Sequence, residues 1–255
     1  MTHTALRLAA ALVMAGGAVT ALTMGAAEAA PAACNASDAA IYAPPGSVSG
    51  APGKLLACEP VTLPEVPGGI SIRAWKVQYV STNVHGAKIA VSGTVAVPTA
   101  PWPGPGPRPV IAFNPGTLGL GPQCAFSKQL AGAYQGEYEG NNIAAILQAG
   151  YAVAATDGVG YLSGQVHTYV VGQNAGHALL DIARTAFQVP GAGLSPTAKV
   201  GIWGYSEGGQ ASLWAAQFAA SYAPGLNVAG SATLVSTVTS ANGRNLRRLV
   251  DTRRG

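Results

Sequence analysis

Val200-Gly201-Ile202-Trp203-Gly204-Tyr205-Ser206-Glu207-Gly208-Gly209 is the stretch that decides the fold. Lys199–Tyr205 reads as a short buried strand, and the Ala-rich segment Gln210–Ser221 beyond it reads as a helix. A serine in a Gly-x-Ser-x-Gly turn between a strand and a helix is the nucleophile elbow of a hydrolase. The turn forces a strained backbone on the serine and lifts its Oγ above the end of the sheet. Gly204 and Gly208 stand where a Cβ would strike the neighbouring strand or helix. Because the helix starts at the nucleophile, its free N–H groups and positive dipole end face the place where an oxyanion would form. Glu207 supplies the first of those N–H groups.

Outward from the elbow, buried strands alternate with helices, which is the pattern of a parallel sheet with crossover helices. Val110–Phe113 is a strand that ends in Asn114-Pro115-Gly116-Thr117-Leu118-Gly119. Asn141–Gln148 is a short helix closed by Gly150, and Tyr151–Thr156 is a strand that ends at Asp157. Parallel strands put the 114–119 loop, Asp157 and Ser206 on one edge. Gln173–Gln188 is the clearest helix. Ala175, Ala178, Leu179, Ile182, Ala183 and Ala186 form its apolar stripe, and His177, Asp181, Arg184 and Gln188 form an opposite face expected to be solvated. Ile70–Val80 and Ala87–Val97 alternate as an antiparallel hairpin, with His85 in its solvated turn. Pro98–Pro109 is a rigid connector, and Leu226–Ala232 begins one further strand. Residues 35–68, rich in Pro, Gly and Ala, read as an irregular lead-in.

At the start, Arg7 precedes an apolar run from Leu8 to Met24, and Ala27-Glu28-Ala29 has the small-x-small form of a cleavage site. Residues 1–29 therefore read as a secretory signal. The rival is an uncleaved membrane anchor, since the run is nearly long enough to span a bilayer. The remainder suits one medium α/β domain, with 49 % hydrophobic and only 9 % charged residues. The formal charge of +4 is concentrated in Arg244, Arg247, Arg248, Arg253 and Arg254. No basic footprint for nucleic acid lies on the rest of the chain. Export places Cys34, Cys58 and Cys124 in an oxidising compartment, where an odd number leaves one unpaired. Cys34 with Cys58 is the more local pairing. The spacing offers no metal site.

Three stretches together carry a resemblance: Phe113–Ser127 (FNPGTLGLGPQCAFS), Ala154–Gly172 (AATDGVGYL…HTYVVG) and Gly204–Gly209 (GYSEGG). In order and separation they resemble the secreted lipase family of actinobacteria and fungi, the family of Candida lipase A, from about Tyr42 to about Gly230. The resemblance implies an α/β-hydrolase fold with a lid over an acyl pocket. It also implies hydrolysis of triacylglycerols or other carboxylic esters, with no cofactor. Ser206 matches the nucleophile and Glu207 an oxyanion amide. Gly116 and Thr117 match the oxyanion loop, although Pro115 stands where the family usually has His. Asp157 and His167 match structural or pocket-forming positions, with Thr168 in place of the family's Pro, and Tyr205 joins them as a pocket candidate. The implied partners are an ester or lipid substrate and a lipid interface, with no nucleic acid and no obligate protein partner.

The triad order of α/β-hydrolases is Ser, then Asp or Glu, then His. After Ser206 this sequence has one Asp, Asp251, and no histidine. From about Thr233 it loses strand and helix alternation, which is the expectation for a chain truncated or frameshifted after about residue 232. The expected organisation is a signal at 1–29, a lead-in at 30–69, an incomplete hydrolase core at 70–232 and a basic tail at 233–255. Two functions stay open: a secreted ester hydrolase, or an impaired fragment or lipid-binding pseudoenzyme. His167 oriented by Asp157 is the substitute base available in the sequence. The elbow by itself also fits peptidases and acyltransferases; the flanking motifs favour a lipase.

Overall fold

The computed structural model describes residues 33–234. The expected signal at 1–29 and the tail from Val235 onward lie outside the described residues. Seven strands form one sheet in the order β1-β2-β3-β5-β4-β6-β7. They are β1 (Leu55–Pro60), β2 (Ile72–Thr82), β3 (Lys88–Pro98), β4 (Val110–Asn114), β5 (Ala152–Gly158), β6 (Val200–Tyr205) and β7 (Val228–Leu234). The helices are α1 (Asp38–Tyr42), α2 (Phe126–Lys128), α3 (Gly140–Gln148), α4 (Gly172–Ala186) and α5 (Glu207–Tyr222). β1, β2 and β3 run antiparallel, and β3 meets β5 antiparallel. β5, β4, β6 and β7 are parallel, with Ala112 of β4 opposite both Ala154 and Ile202.

Alternation along the strands sorts the core into two layers. Val110 and Ala112, Ala152 and Ala154, and Val200 and Ile202 face α4 and α5, where Leu179, Ile182, Ala211 and Ala215 meet them. Phe113, Val153 and Ala155 face the other way, against Ile143 and Leu147 of α3 and against Phe126. On that second side, next to β7, an open apolar groove of about 630 Å³ is lined by residues that include Ile111, Ile146, Tyr151, Gly201, Trp203 and Gly230. The parallel order puts the ends of β4, β5 and β6 on one edge, as the pattern of the sequence requires.

Three expectations change. The lead-in is not irregular: it holds α1 and the edge strand β1, fastened by a Cys34–Cys58 disulfide, with Cys124 free. Its Pro and Gly content hid a six-residue strand because an edge strand tolerates such neighbours. The sheet also continues through Thr233 and Leu234, past the expected limit at 232.

The third change is the polar face of α4, which is buried. α5 lies across it so closely that a Cβ on Gly176 would stand 2.9 Å from the Ala215 nitrogen. His177 stacks flat on Tyr222, with ring centroids 3.7 Å apart, and its Nδ1–H donates to the Thr82 carbonyl at 2.9 Å. Asp181 is fully buried and accepts from Ser81 Oγ (2.8 Å), Tyr222 Oη (2.7 Å) and Arg184 Nη1 (2.7 Å). An amphipathic stripe shows which face a helix offers first to a sheet; it does not show that a second helix will cover the other face.

Burial pushes the Asp181 carboxyl from 3.8 to about 6, against the pull of the Tyr222, Ser81 and Arg184 donors. The folded chain therefore takes up this proton more readily than the unfolded chain. The stabilising contribution is full below about pH 4 and is lost as pH rises through about 6, a total of about 3 kcal/mol. His177 has the opposite sign: burial lowers its value, so its contribution grows as pH rises through the ordinary histidine range. Asp181→Asn removes only the first effect. Between pH 5 and pH 7 the wild type should lose more thermal stability than this variant, by several degrees for a chain of this size. Parallel pH profiles of the two melting temperatures would count against it.

Candidate active site

β6 ends at Tyr205 and α5 begins at Glu207, leaving Ser206 alone in the turn with φ 54° and ψ −113°. That conformation is sparsely populated for a residue with a side chain and persists only when its surroundings fix it. The surroundings here are backbone. A Cβ on Gly208 would stand 1.9 Å from the Asn114 carbonyl oxygen, and one on Gly204 would stand 2.2 Å from the Gly208 oxygen. The elbow is thus pressed against the end of β4, and no side chain fits between them. Among the described residues Ser206 Oγ has no hydrogen-bond partner.

The loop after β4 lies beside the elbow. Asn114 Nδ2 donates to the Pro115 carbonyl at 2.9 Å, closing the first step of the loop. The Gly116 N–H, expected as an oxyanion donor, is already taken: it donates to Glu139 Oε1. This corrects the assignment of Gly116, whose place in the site comes from its lack of a Cβ. The Thr117 N–H donates to no acceptor among the described residues, and the Thr117 hydroxyl lies 3.5 Å from Tyr169 Oη. Together with the free N–H of Glu207 at the start of α5, it is the pair available to an oxyanion.

The loop after β5 closes the other side. It turns at Gly158 and Gly160, both at positive φ, and a Cβ on Gly160 would stand 2.1 Å from the Val166 carbonyl. The turn brings His167 over the elbow, stacked on Tyr161 at 4.5 Å between centroids. The Val159 carbonyl can only accept, so His167 Nδ1 donates to it (2.9 Å), while Nε2 meets Glu207 Oε1 at 2.5 Å. Both side chains are buried, at 8 % and 6 % exposure. Tyr161 Oη donates to the Gly119 carbonyl at 2.6 Å and the His167 N–H to that of Leu120 at 3.0 Å, which stitches this loop to the one after β4.

Asp157 is not part of this cleft. It is buried at the end of β5 and accepts from Ser92 Oγ (2.6 Å), the Ser127 N–H (2.7 Å) and Ser127 Oγ (2.6 Å); Tyr42 Oη lies 2.6 Å from that last oxygen. Burial pushes its carboxyl up while these donors pull it back. The expected substitute base, His167 oriented by Asp157, is therefore corrected: Asp157 holds α2 and β3 in place, and both nitrogens of His167 are occupied elsewhere. Tyr205 sits half exposed at the mouth, at 44 %. Sequence reasoning missed Glu139, Tyr161 and Gln210. The one available signal was Glu139 immediately before the helix, where carboxylates favour the dipole.

Two outcomes check this geometry. Gly208→Ala forces a Cβ onto backbone and should destabilise the chain by at least about 3 kcal/mol, whereas Gly225→Ala, with open space around it, should change stability by less than about 1 kcal/mol. Urea titrations that rank the two alike would contradict the close approach. For the buried pair, His167→Ala strands the Glu207 carboxylate and should cost about 3 kcal/mol. Adding Glu207→Gln should recover part of that loss, and strict additivity in the double-mutant cycle would show that the two residues do not interact.

The sequence pattern of the secretory lipase family matches residues 126–247, so the match runs past the break expected near Ala232. A probable inactive lipase of Mycobacterium tuberculosis, MT1628, is 32 % identical over 204 residues, covering 76 % of this chain and 44 % of that protein. The secreted triacylglycerol lipase LIP7 of Malassezia globosa is 29 % identical, covering 76 % of this chain and 41 % of its own length. Among solved structures, Candida antarctica lipase A in its closed state superposes with a TM-score of 0.64 at 25 % identity, over 75 % of this chain and 44 % of that one. The rice cell wall degrading esterase LipA of Xanthomonas oryzae shares the fold, with a TM-score of 0.55 at 22 % identity over 71 % of this chain and 50 % of its own. The chain spans less than half the length of these curated relatives. By sequence pattern over residues 126–247 and by fold, the chain matches the secretory lipase family of α/β-hydrolases.

Proposed function

We propose that this chain carries the nucleophile and the oxyanion donors of a secreted carboxylic ester hydrolase of lipase type. The observation that carries the reading is Ser206 at φ 54° and ψ −113° between β6 and α5, with no hydrogen-bond partner for its hydroxyl among the described residues. Ser206 Oγ attacks the ester carbonyl, and the tetrahedral oxyanion accepts from the Glu207 and Thr117 N–H groups. Collapse breaks the ester C–O bond, the alcohol leaves with the proton that Ser206 gives up, and water then cleaves the acyl-enzyme to the acid and free Ser206. The rim supports an apolar acyl group and contact with a lipid interface: Leu120, Tyr138, Val166, Tyr169 and Val170 on the loops, with Tyr205 at the end of β6, are all exposed at the sheet edge that carries Ser206. The Cys34–Cys58 disulfide fits an exported protein.

A second reading is favoured by one observation: among the described residues no base is hydrogen-bonded to Ser206 Oγ, and the nitrogens of His167 are both engaged. On that reading the chain as it stands binds esters or lipids with impaired turnover. Loss of the base lowers turnover by about 10⁴ to 10⁶ while oxyanion and binding contributions remain. A fluorophosphonate probe and a p-nitrophenyl ester assay on the whole chain separate the two readings. Labelling at Ser206, abolished in Ser206→Ala, with measurable turnover supports the hydrolase; labelling without turnover supports the impaired form. Label on another serine, or none at all, refutes Ser206 as the nucleophile.

A further inference from the structure

Glu139 belongs to none of the motifs, yet it is fully buried and its side chain reaches the backbone of the loop after β4. Its main chain is fixed at the start of α3. The Glu139 carbonyl accepts from the N–H groups of Asn142 (2.9 Å) and Ile143 (3.1 Å), while Ile143 and Leu147 are buried in the core. From that anchor its carboxylate accepts the Gly116 N–H. The approach depends on glycine, because a Cβ at residue 116 would stand 2.6 Å from the Tyr138 hydroxyl and 3.1 Å from Glu139 Oε1. Burial pushes the Glu139 carboxyl up, and the Gly116 N–H and the Tyr138 hydroxyl are the main groups pulling it back.

The loop needs such a tether. Asn114 and Pro115 are held by the contact with Gly208 and by the Asn114 side chain. Beyond them, Gly116 is the residue with the greatest backbone freedom, and among the described residues Thr117 is held by the long 3.5 Å contact to Tyr169 alone. An oxyanion donor left to wander loses its advantage, because stabilisation of a developing charge depends on donors already oriented before reaction.

We propose that Glu139 is the positioning residue of the oxyanion loop: by holding the Gly116 N–H it presents the next one, that of Thr117, to the oxyanion formed on Ser206. This rests on the ester hydrolase reading. What is required is an acceptor oxygen of the right reach, so a glutamine serves and an aspartate does not.

The test compares Glu139→Gln, Glu139→Asp and Glu139→Ala in the whole chain, with two readouts. The first is the position of the Gly116 and Thr117 amide resonances in the ¹⁵N–¹H spectrum. The second is the rate constant for labelling of Ser206 by a fluorophosphonate. The Ala and Asp variants should shift both resonances and slow labelling by about 10- to 100-fold, whereas Gln should keep the resonances in place and the rate within about 3-fold. If Glu139→Ala does not fold, the Gln and Asp variants make the comparison by themselves. Equal rates in all variants, or Gln as slow as Asp, overturn the proposal. A wild type that is not labelled sinks the hydrolase reading instead. In that case resonances unmoved by Glu139→Asp or Glu139→Ala overturn the tether, and resonances that move in these variants but not in Gln support it.

Discussion

The backbone contact between the Asn114 carbonyl and Gly208 is the constraint on which the rest of the site depends. It joins the carboxyl end of β4 to the first turn of α5 with no side chain between them. Two parallel strands that share a register, β4 and β6, deliver their ends to the same height. A glycine at 208 then lets the helix start directly against the neighbouring strand. The Glu207 N–H and the 116–117 loop are brought to one place as a result, because each is only a residue or two from this contact. Had residue 208 carried a Cβ, the helix would stand off by more than an ångström, which is more than the tolerance of a preorganised oxyanion site.

Around that contact the loops are held by buried acids. Among the described residues, five of the eight acids are buried: Glu137, Glu139, Asp157, Asp181 and Glu207. Three of them tie parts of the site edge together: Asp157 to α2 and β3, Glu139 to Gly116, and Glu207 to His167. Each reaches a backbone N–H, a hydroxyl or a ring nitrogen, the partners a buried carboxylate needs to offset its desolvation. With so few charged residues, most of the acids among the described residues lie inside. This also explains why the composition gave no sign of them: a charge count says how many acids there are, and says nothing of where they fold to.

The architecture was legible because it rests on periodicity. Val110–Phe113, Tyr151–Thr156 and Lys199–Tyr205 read as buried strands, and they are the core of β4, β5 and β6. The elbow was legible because two glycines around a serine have a mechanical reason to be there. What was not legible depended on which elements cover which. Asp181 and His177 sit on the polar face of α4, and only the position of α5, set by Gly172, Gly176 and Trp214, makes that face interior. Likewise nothing local marks Glu139 as the partner of Gly116, 23 residues away. The Asp157–His167 pairing failed for a related reason. Adjacency at the end of one strand is not contact: the turn at Gly158 and Gly160 sends His167 across to the elbow.

The backbone strain of the described residues supports the same location for function. Two non-glycine residues among them have positive φ, Ser206 at 54° and Val170 at 52°, and for a β-branched valine this is a true outlier. Each costs roughly 1–3 kcal/mol and must be held by its surroundings. Gln210 touches both: its backbone N–H donates to the Ser206 carbonyl at 3.1 Å and its side chain to the Val170 carbonyl at 3.0 Å. Two hydrogen bonds worth about 1 kcal/mol each do not cover the strain of two such residues. The remainder comes from α5 itself, which buries Ala211, Ser212 and Ala215 against α4 and the sheet and so fixes where residue 210 must stand. The strained loop that carries Tyr169 and Val170 is thus referenced to the same helix that aims Ser206. A displacement of α5 relative to β4 would release both outliers at once, because Ser206 and the apolar rim above it share one anchor, Gln210.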